Sequence, residues 1–142
     1  HRYPNSFNDK LGGFLYGLKL SGDKFYLRFL NDHGDNVFCD FSIGKTTLSK
    51  AKGIYLFCVG EAIKYFGRSH DPFEKRVNQG YGHISPKNCY RDGQSTNCRI
   101  NSLIGKNHAE VSFYVFLLNN DPVIEKLEKL LINSYKPEWN VL

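Results

Sequence analysis

The stretch from Gly53 to Arg76, GIYLFCVGEAIKYFGRSHDPFEKR, constrains this chain more than any other. Ile54 to Val59 is an unbroken run of aliphatic, aromatic and thiol side chains, the pattern of a buried strand. Ile63 to Phe66 reads as its partner across a tight Gly60-Glu61 turn. Asp71-Pro72-Phe73-Glu74 then carries a helix start, with Asp71 as cap, Pro72 at the first position and Glu74 at capping-box spacing. That helix is expected to reach about Gln79 and stop at Gly80. A hairpin running straight into a helix brings two phenols, Tyr55 and Tyr65, towards one guanidinium, Arg76. Such a group can handle a phosphate, because guanidinium binds phosphate oxygens in a charge-assisted, directional way.

The rest of the chain sorts around this stretch. FLYGLKL, KFYLRFL and NVFCDFSI, separated by SGD and NDHGDN, predict an antiparallel meander over residues 14–43. A lysine-rich connector, KTTLSKAK, follows at 45–52. GYGHISPKNCYRDGQ at 80–94 reads as a long loop of the kind that carries function, with Lys87 and Arg91 beside Tyr81 and Tyr90. TNCRINSLIGK at 96–106 predicts a second helix, and VSFYVFLL at 111–118 a third strand covered on both faces. The last helix opens with Asp121 as cap and Pro122, and ends near Tyr135 because Pro137 forbids continuation. On its wheel Glu128 lies within about 60° of Ile124, Leu131, Ile132 and Tyr135. A carboxylate turned into an apolar stripe needs a pairing cation or a metal.

Composition narrows the classes. At 142 residues the chain is the size of one domain with an extension, and 11 Phe with 9 Tyr can build a core from few large side chains. A net charge of +5 fits a polyanionic partner. The longest apolar runs, 54–59 and 113–118, are too short to span a bilayer, so no membrane partner is expected. The opening HRYPNSFNDK is polar and unlike a signal peptide, and the absence of Met suggests that native sequence once preceded His1. Cys39, Cys58, Cys89 and Cys98 form no C-x-x-C pair, which argues against zinc and for reduced thiols in a cytoplasmic setting.

Together GIY at 53–55, YFG at 65–67, Arg76 on the following helix and EKLLINSYKPEWN at 128–140 resemble the GIY-YIG nuclease domain. The match covers about 53–142, and its tail is similar to the end of the nuclease module in the bacterial excision-repair incision protein. The resemblance implies an α/β sandwich, a central three-stranded antiparallel sheet flanked by helices, to which residues 1–50 add a β-rich extension and 51–142 the nuclease domain. It implies hydrolysis of a DNA phosphodiester with one divalent cation, Mg²⁺ or Mn²⁺. Carried over by position, Tyr55 is the general base, Tyr65 orients water or a phosphate oxygen, and Arg76 stabilises the transition state. Glu128 is the metal ligand, and Asn140 braces the site. Phe66 stands where the family has Ile or Val, and one extra residue separates Gly67 from Arg76. The histidine that several members carry after the arginine is matched by His83, three residues beyond Gly80. The expected activity is a stand-alone nuclease of restriction, homing or defence type. Repair nucleases, the nuclease end of a secreted toxin and a non-cleaving binding module are the alternatives. The N-terminal segment could contact DNA or form a dimer surface.

Overall fold

A computed structural model describes residues 17–43 and 51–141. The chain forms two compact units. One comprises the described residues of His1–Phe41 together with Gly80–Lys106, the other those of Ser42–Gln79 together with Asn107–Leu142.

The second unit is built on a three-stranded antiparallel sheet of order β2-β1-β3, with β1 Gly53–Val59, β2 Ala62–Ser69 and β3 Val111–Leu117. The central strand β1 separates two different faces, because successive side chains of a strand point to opposite sides. On one face Tyr55 and Phe57 pack with Tyr65, Phe113 and Phe73, with ring centroids 5.2 to 6.3 Å apart. Phe73 opens the short helix α1 (Phe73–Arg76), so this helix is pinned to the aromatic face by its first residue. On the other face Ile54, Leu56, Cys58 and Phe66 receive Ile124, Leu127, Leu131 and Ile132 of the last helix. Each buried ring or aliphatic side chain contributes about 1.5–3 kcal/mol, which makes these two layers the main support of the unit.

The hairpin is not regular. Cys58 pairs with Ile63 but Phe57 pairs with Tyr65, so Lys64 is an extra residue, a β-bulge. Without it the register would run Phe57 to Lys64 and Leu56 to Tyr65, which would turn Tyr65 to the aliphatic face. With it Tyr65 faces Phe57, and Tyr55 faces Gly67. The outer edge of β2 is closed by the tail: Trp139 N donates to Lys64 O at 2.8 Å, and Lys64 Nζ reaches Glu138 Oε2 at 2.6 Å. Asn140 accepts from Phe66 N and donates to Phe66 O, both at 2.9 Å. An edge strand closed in this way offers no free ladder to other chains at those positions.

In the first unit, Tyr26, Leu30, Phe38, Ile84, Cys89 and Cys98 form the core. Helix α3 (Ser95–Lys106) contributes Cys98 and a fully buried Asn101. Asn101 Oδ1 accepts from Cys39 N, and its Nδ2 donates to Cys39 O and Tyr81 O.

Several expectations are corrected. The meander over 14–43 is not found among its described residues, which form a helical turn at 17–20, a 3-10 helix Lys24–Phe29 and coil. KFYLRFL buries Tyr26 and Leu30, four apart, while Phe25, Leu27 and Phe29 stay exposed; its period is helical rather than two. Asp23 sets this helix by accepting from Phe25 N. Around Phe38 and Cys39 the backbone bonds go to the Asn101 amide instead of a neighbouring strand. The remainder of the meander and the connector at 45–50 lie outside the described residues. β3 is an edge strand and not covered on both faces: Tyr114 and Phe116 are about half exposed, because the last helix lies over β2 and β1.

At the helix ends the caps differ. Pro72 and not Asp71 takes the cap position of α1, and Phe73 N is satisfied by Ala51 O. Gly80 does not stop the helix but lies within a π-helical segment Val77–Tyr81. The loop at 80–94 contains a turn of helix, α2 (Pro86–Cys89), capped reciprocally by Ser85 and Asn88. The last helix, α4 (Asp121–Tyr135), is capped by Asn120, whose side chain accepts from Val123 N, one residue before the expected Asp121.

One consequence concerns Gly67. A Cβ there would lie 2.2 Å from Tyr55 Cζ and 2.4 Å from its hydroxyl oxygen. Gly67→Ala is therefore expected to displace the buried Tyr55 ring and destabilise the protein by about 1–3 kcal/mol, read as a lower midpoint in urea unfolding. An unchanged midpoint would mean that the ring does not lie across Gly67.

Candidate active site

Five of the residues singled out above lie in the second unit, on its sheet or against one of its two faces, and the sixth does not. Tyr55, on the buried central strand, is fully enclosed and extends across Gly67. Arg76, the last residue of α1, donates from Nε to the Tyr55 hydroxyl at 3.4 Å. Tyr65 lies beside them, 9% exposed, its ring 6.3 Å from that of Tyr55. Asn140 is held on the backbone of Phe66, one residue along β2 from Tyr65. His83 belongs to the first unit, exposed, with Nδ1 3.3 Å from Asp40 Oδ1; the structure does not gather it into one unit with the other five.

Glu128 projects from the sheet-facing stripe of α4, and its side chain is only 15% exposed. Its partner is Arg68, which donates from Nη1 to Oε1 at 3.0 Å. Arg68 pairs with Ile54 in the β1–β2 register and so lies on the α4 face, while its neighbour Gly67 faces Tyr55 on the other. Burial pushes the Glu128 carboxyl above its ordinary pKa. The charge and hydrogen bond of Arg68 oppose that rise, as does the charge of Arg76, and Glu125 adds to it. Arg76 thus touches Tyr55 on the aromatic face, while Glu128 pairs with Arg68 on the face that α4 covers.

Around the start of α4 the charges are paired in a second group. Lys52 Nζ lies 2.9 Å from Asp121 Oδ1, and His70 reaches Asp121 at 3.1 Å and Glu125 at 3.5 Å. The Lys52 hydrogen bond, followed by that of His70, holds the Asp121 carboxyl below its ordinary pKa. His70 and Arg68 are both carboxylate partners. The register shift that places Arg68 over α4 comes from the bulge, and nothing in the local sequence announces it.

Among the described residues no three His, Cys, Asp or Glu side chains are grouped to hold a metal. A single half-buried carboxylate fits Mg²⁺, which keeps most of its waters and takes one or two protein oxygens. It does not fit zinc, which takes three or four His, Cys or carboxylate ligands. The four cysteines are buried thiols outside any disulfide, and burial is the leading cause that raises Cys39 to about 11 and also lifts Cys58. They behave as core side chains rather than as nucleophiles or ligands.

The raised Glu128 carboxyl has a stability signature. Its favourable contribution is present below the unfolded-state pKa and is lost as pH rises through the folded value. Glu128→Gln is therefore expected to gain stability relative to the parent as pH rises from about 4, the ordinary glutamate range, measured by thermal unfolding at each pH. A stability difference that stays flat or falls over that rise would contradict the burial of this carboxylate.

No protein-family model matches the sequence, and no curated protein matches it. Among solved structures the chain is similar to the GIY-YIG N-terminal endonuclease domain of UvrC from Thermotoga maritima. For a point mutant bound to its catalytic divalent cation, the TM-score is 0.46 at 20% identity, covering 68% of this chain and 89% of that one. For the same domain bound to magnesium, the TM-score is 0.45 at 20% identity, covering 67% and 89%.

Proposed function

We propose that this chain is a Mg²⁺-dependent DNA endonuclease that hydrolyses phosphodiester bonds, of the stand-alone restriction, homing or defence type. The observation that carries the reading is the Arg76 Nε contact with the Tyr55 hydroxyl, 3.4 Å, on a sheet whose other face holds the largely buried Glu128. These residue types stand in the order in which the sequence motifs place a base, a phosphate ligand and a metal ligand. The net charge of +5 suits the polyanionic substrate.

In this reading the Tyr55 hydroxyl oxygen takes a proton from the attacking water. A phenol has an ordinary pKa of about 10, so its oxygen accepts this proton only after giving its own to solvent, and the Arg76 guanidinium would then hold the phenolate. Water oxygen bonds to phosphorus, and the opposite P–O bond breaks as the leaving oxygen takes a proton from solvent. Arg76 donates to the phosphate oxygens as charge builds on them, a preorganised electrostatic effect of the kind that contributes most to such reactions. Tyr65 orients the water or a phosphate oxygen. Asn140 acts at a distance, by holding the β2 backbone at Phe66. Glu128 would hold Mg²⁺, which supplies Lewis-acid charge beside the scissile phosphate.

Nicking of supercoiled plasmid tests this. Cleavage is expected with Mg²⁺ and not with EDTA, and Tyr55→Phe and Glu128→Gln are expected to abolish it. Arg76→Ala should slow it roughly 100- to 1,000-fold, with circular dichroism confirming the fold. A folded Glu128→Gln variant that nicks at the parent rate would overturn the metal assignment. Sequencing the ends cut from random DNA separates the classes: a fixed recognition sequence supports a restriction-type enzyme, and scattered cuts point to repair or toxin use.

A further inference from the structure

Glu128 meets two demands that pull apart. A carboxylate 15% exposed on an apolar helix face must be neutralised to be tolerated, yet a cation site needs it ionised and able to release its partner. Arg68 meets the first demand: its guanidinium reaches Oε1 at 3.0 Å while its own side chain stays 40% exposed. The pairing has the form of an exchangeable bond. One end is anchored in the helix face, the other is a long side chain on the rim of the sheet with solvent beside it.

The alternative partners of Glu128 are limited. Glu125, one turn back on α4, is engaged by His70, and Asp121 by Lys52 and His70. Arg76 contacts the Tyr55 hydroxyl on the other face of the sheet. Arg68 therefore occupies Oε1, one of the two carboxylate oxygens open to a divalent cation, and a guanidinium and a divalent cation cannot both sit at full strength on one oxygen.

We infer that Arg68 is the resident counter-ion of Glu128, which holds the carboxylate ready in the cation-free protein and cedes Oε1 when a divalent cation enters. The inference rests on the reading of Glu128 as metal ligand and deepens it. Arg68 is a positioning residue that acts through Glu128. It raises the concentration at which the site loads, because a cation that takes Oε1 must displace it and one that takes the other oxygen meets its charge. Once displaced, its guanidinium stays on the same rim of the sheet, charged and in reach of an anionic substrate arriving with the cation.

Mn²⁺ binding to the purified protein without DNA, followed by the loss of the free-ion electron paramagnetic resonance signal, tests this apart from activity. Arg68→Gln removes the competing charge and is expected to bind Mn²⁺ about three- to tenfold more tightly than the parent. Arg68→Lys restores a cation and should return the affinity to within about twofold of the parent. Circular dichroism and thermal unfolding establish that each variant is folded. If Arg68→Gln binds as the parent does, or more weakly, Arg68 is not a competitor and the inference fails while the metal site stands. If Glu128→Gln binds Mn²⁺ as well as the parent, the metal assignment falls and this inference falls with it.

Discussion

One extra residue in a hairpin, Lys64, decides what the rest of the second unit can be. Side chains of a sheet alternate with a period of two, so one unpaired residue exchanges the faces of everything beyond it on that strand. The bulge brings Tyr65 to the side of Tyr55, leaves Gly67 opposite the Tyr55 ring and turns Arg68 towards α4. Its surroundings hold it in place. The tail binds the Lys64 carbonyl through Trp139 and the Phe66 backbone through Asn140, so the two residues flanking Tyr65 are both clamped. A C-terminal segment that reads as an afterthought to the last helix is thus part of the register.

The two faces of the sheet carry different duties. The aliphatic face is an ordinary helix-on-sheet layer, and its one irregularity is Glu128 among Ile124, Leu127, Leu131 and Ile132. The aromatic face is built from large rings, which leave a phenol and a guanidinium in contact at its margin. Placing a carboxylate on the first face and a phenol on the second costs stability at both. Burial disfavours the ionised acid, and the Tyr55 ring leaves no room for a side chain at Gly67. Charged partners offset part of that cost through Arg68 and Arg76. Buried polar groups kept in this manner suit a site whose parts must stay where they are.

The same device serves both units at the level of the backbone. Asn101 and Asn140 each present an amide to a main-chain segment, accepting from its N–H and donating to its C=O. In the first unit this lets the coil at Cys39 be buried without a neighbouring strand, and in the second it closes the edge of β2. Buried backbone groups must be satisfied, and an amide can do for one residue what a strand does for a ladder.

By itself the sequence determined the elements whose signals are local: the hairpin around Gly60, the helix after Asn120 and its stop before Pro137, and the inward face of Glu128. Where a signal was ambiguous between periods, as in KFYLRFL, the apolar count was read correctly and the geometry was not. Helix and strand bury similar residues at different spacings, and the choice there fell to the core around Tyr26 and Leu30. β3 misled for a related reason: an apolar run resembles a covered strand, but how much is covered depends on where α4 lies. Only the tertiary structure decided the partner of Glu128, the facing of Tyr65 and the contact between Arg76 and Tyr55. Each depends on register and on the docking of distant segments, and those follow from packing summed over the whole unit rather than from any one stretch of residues.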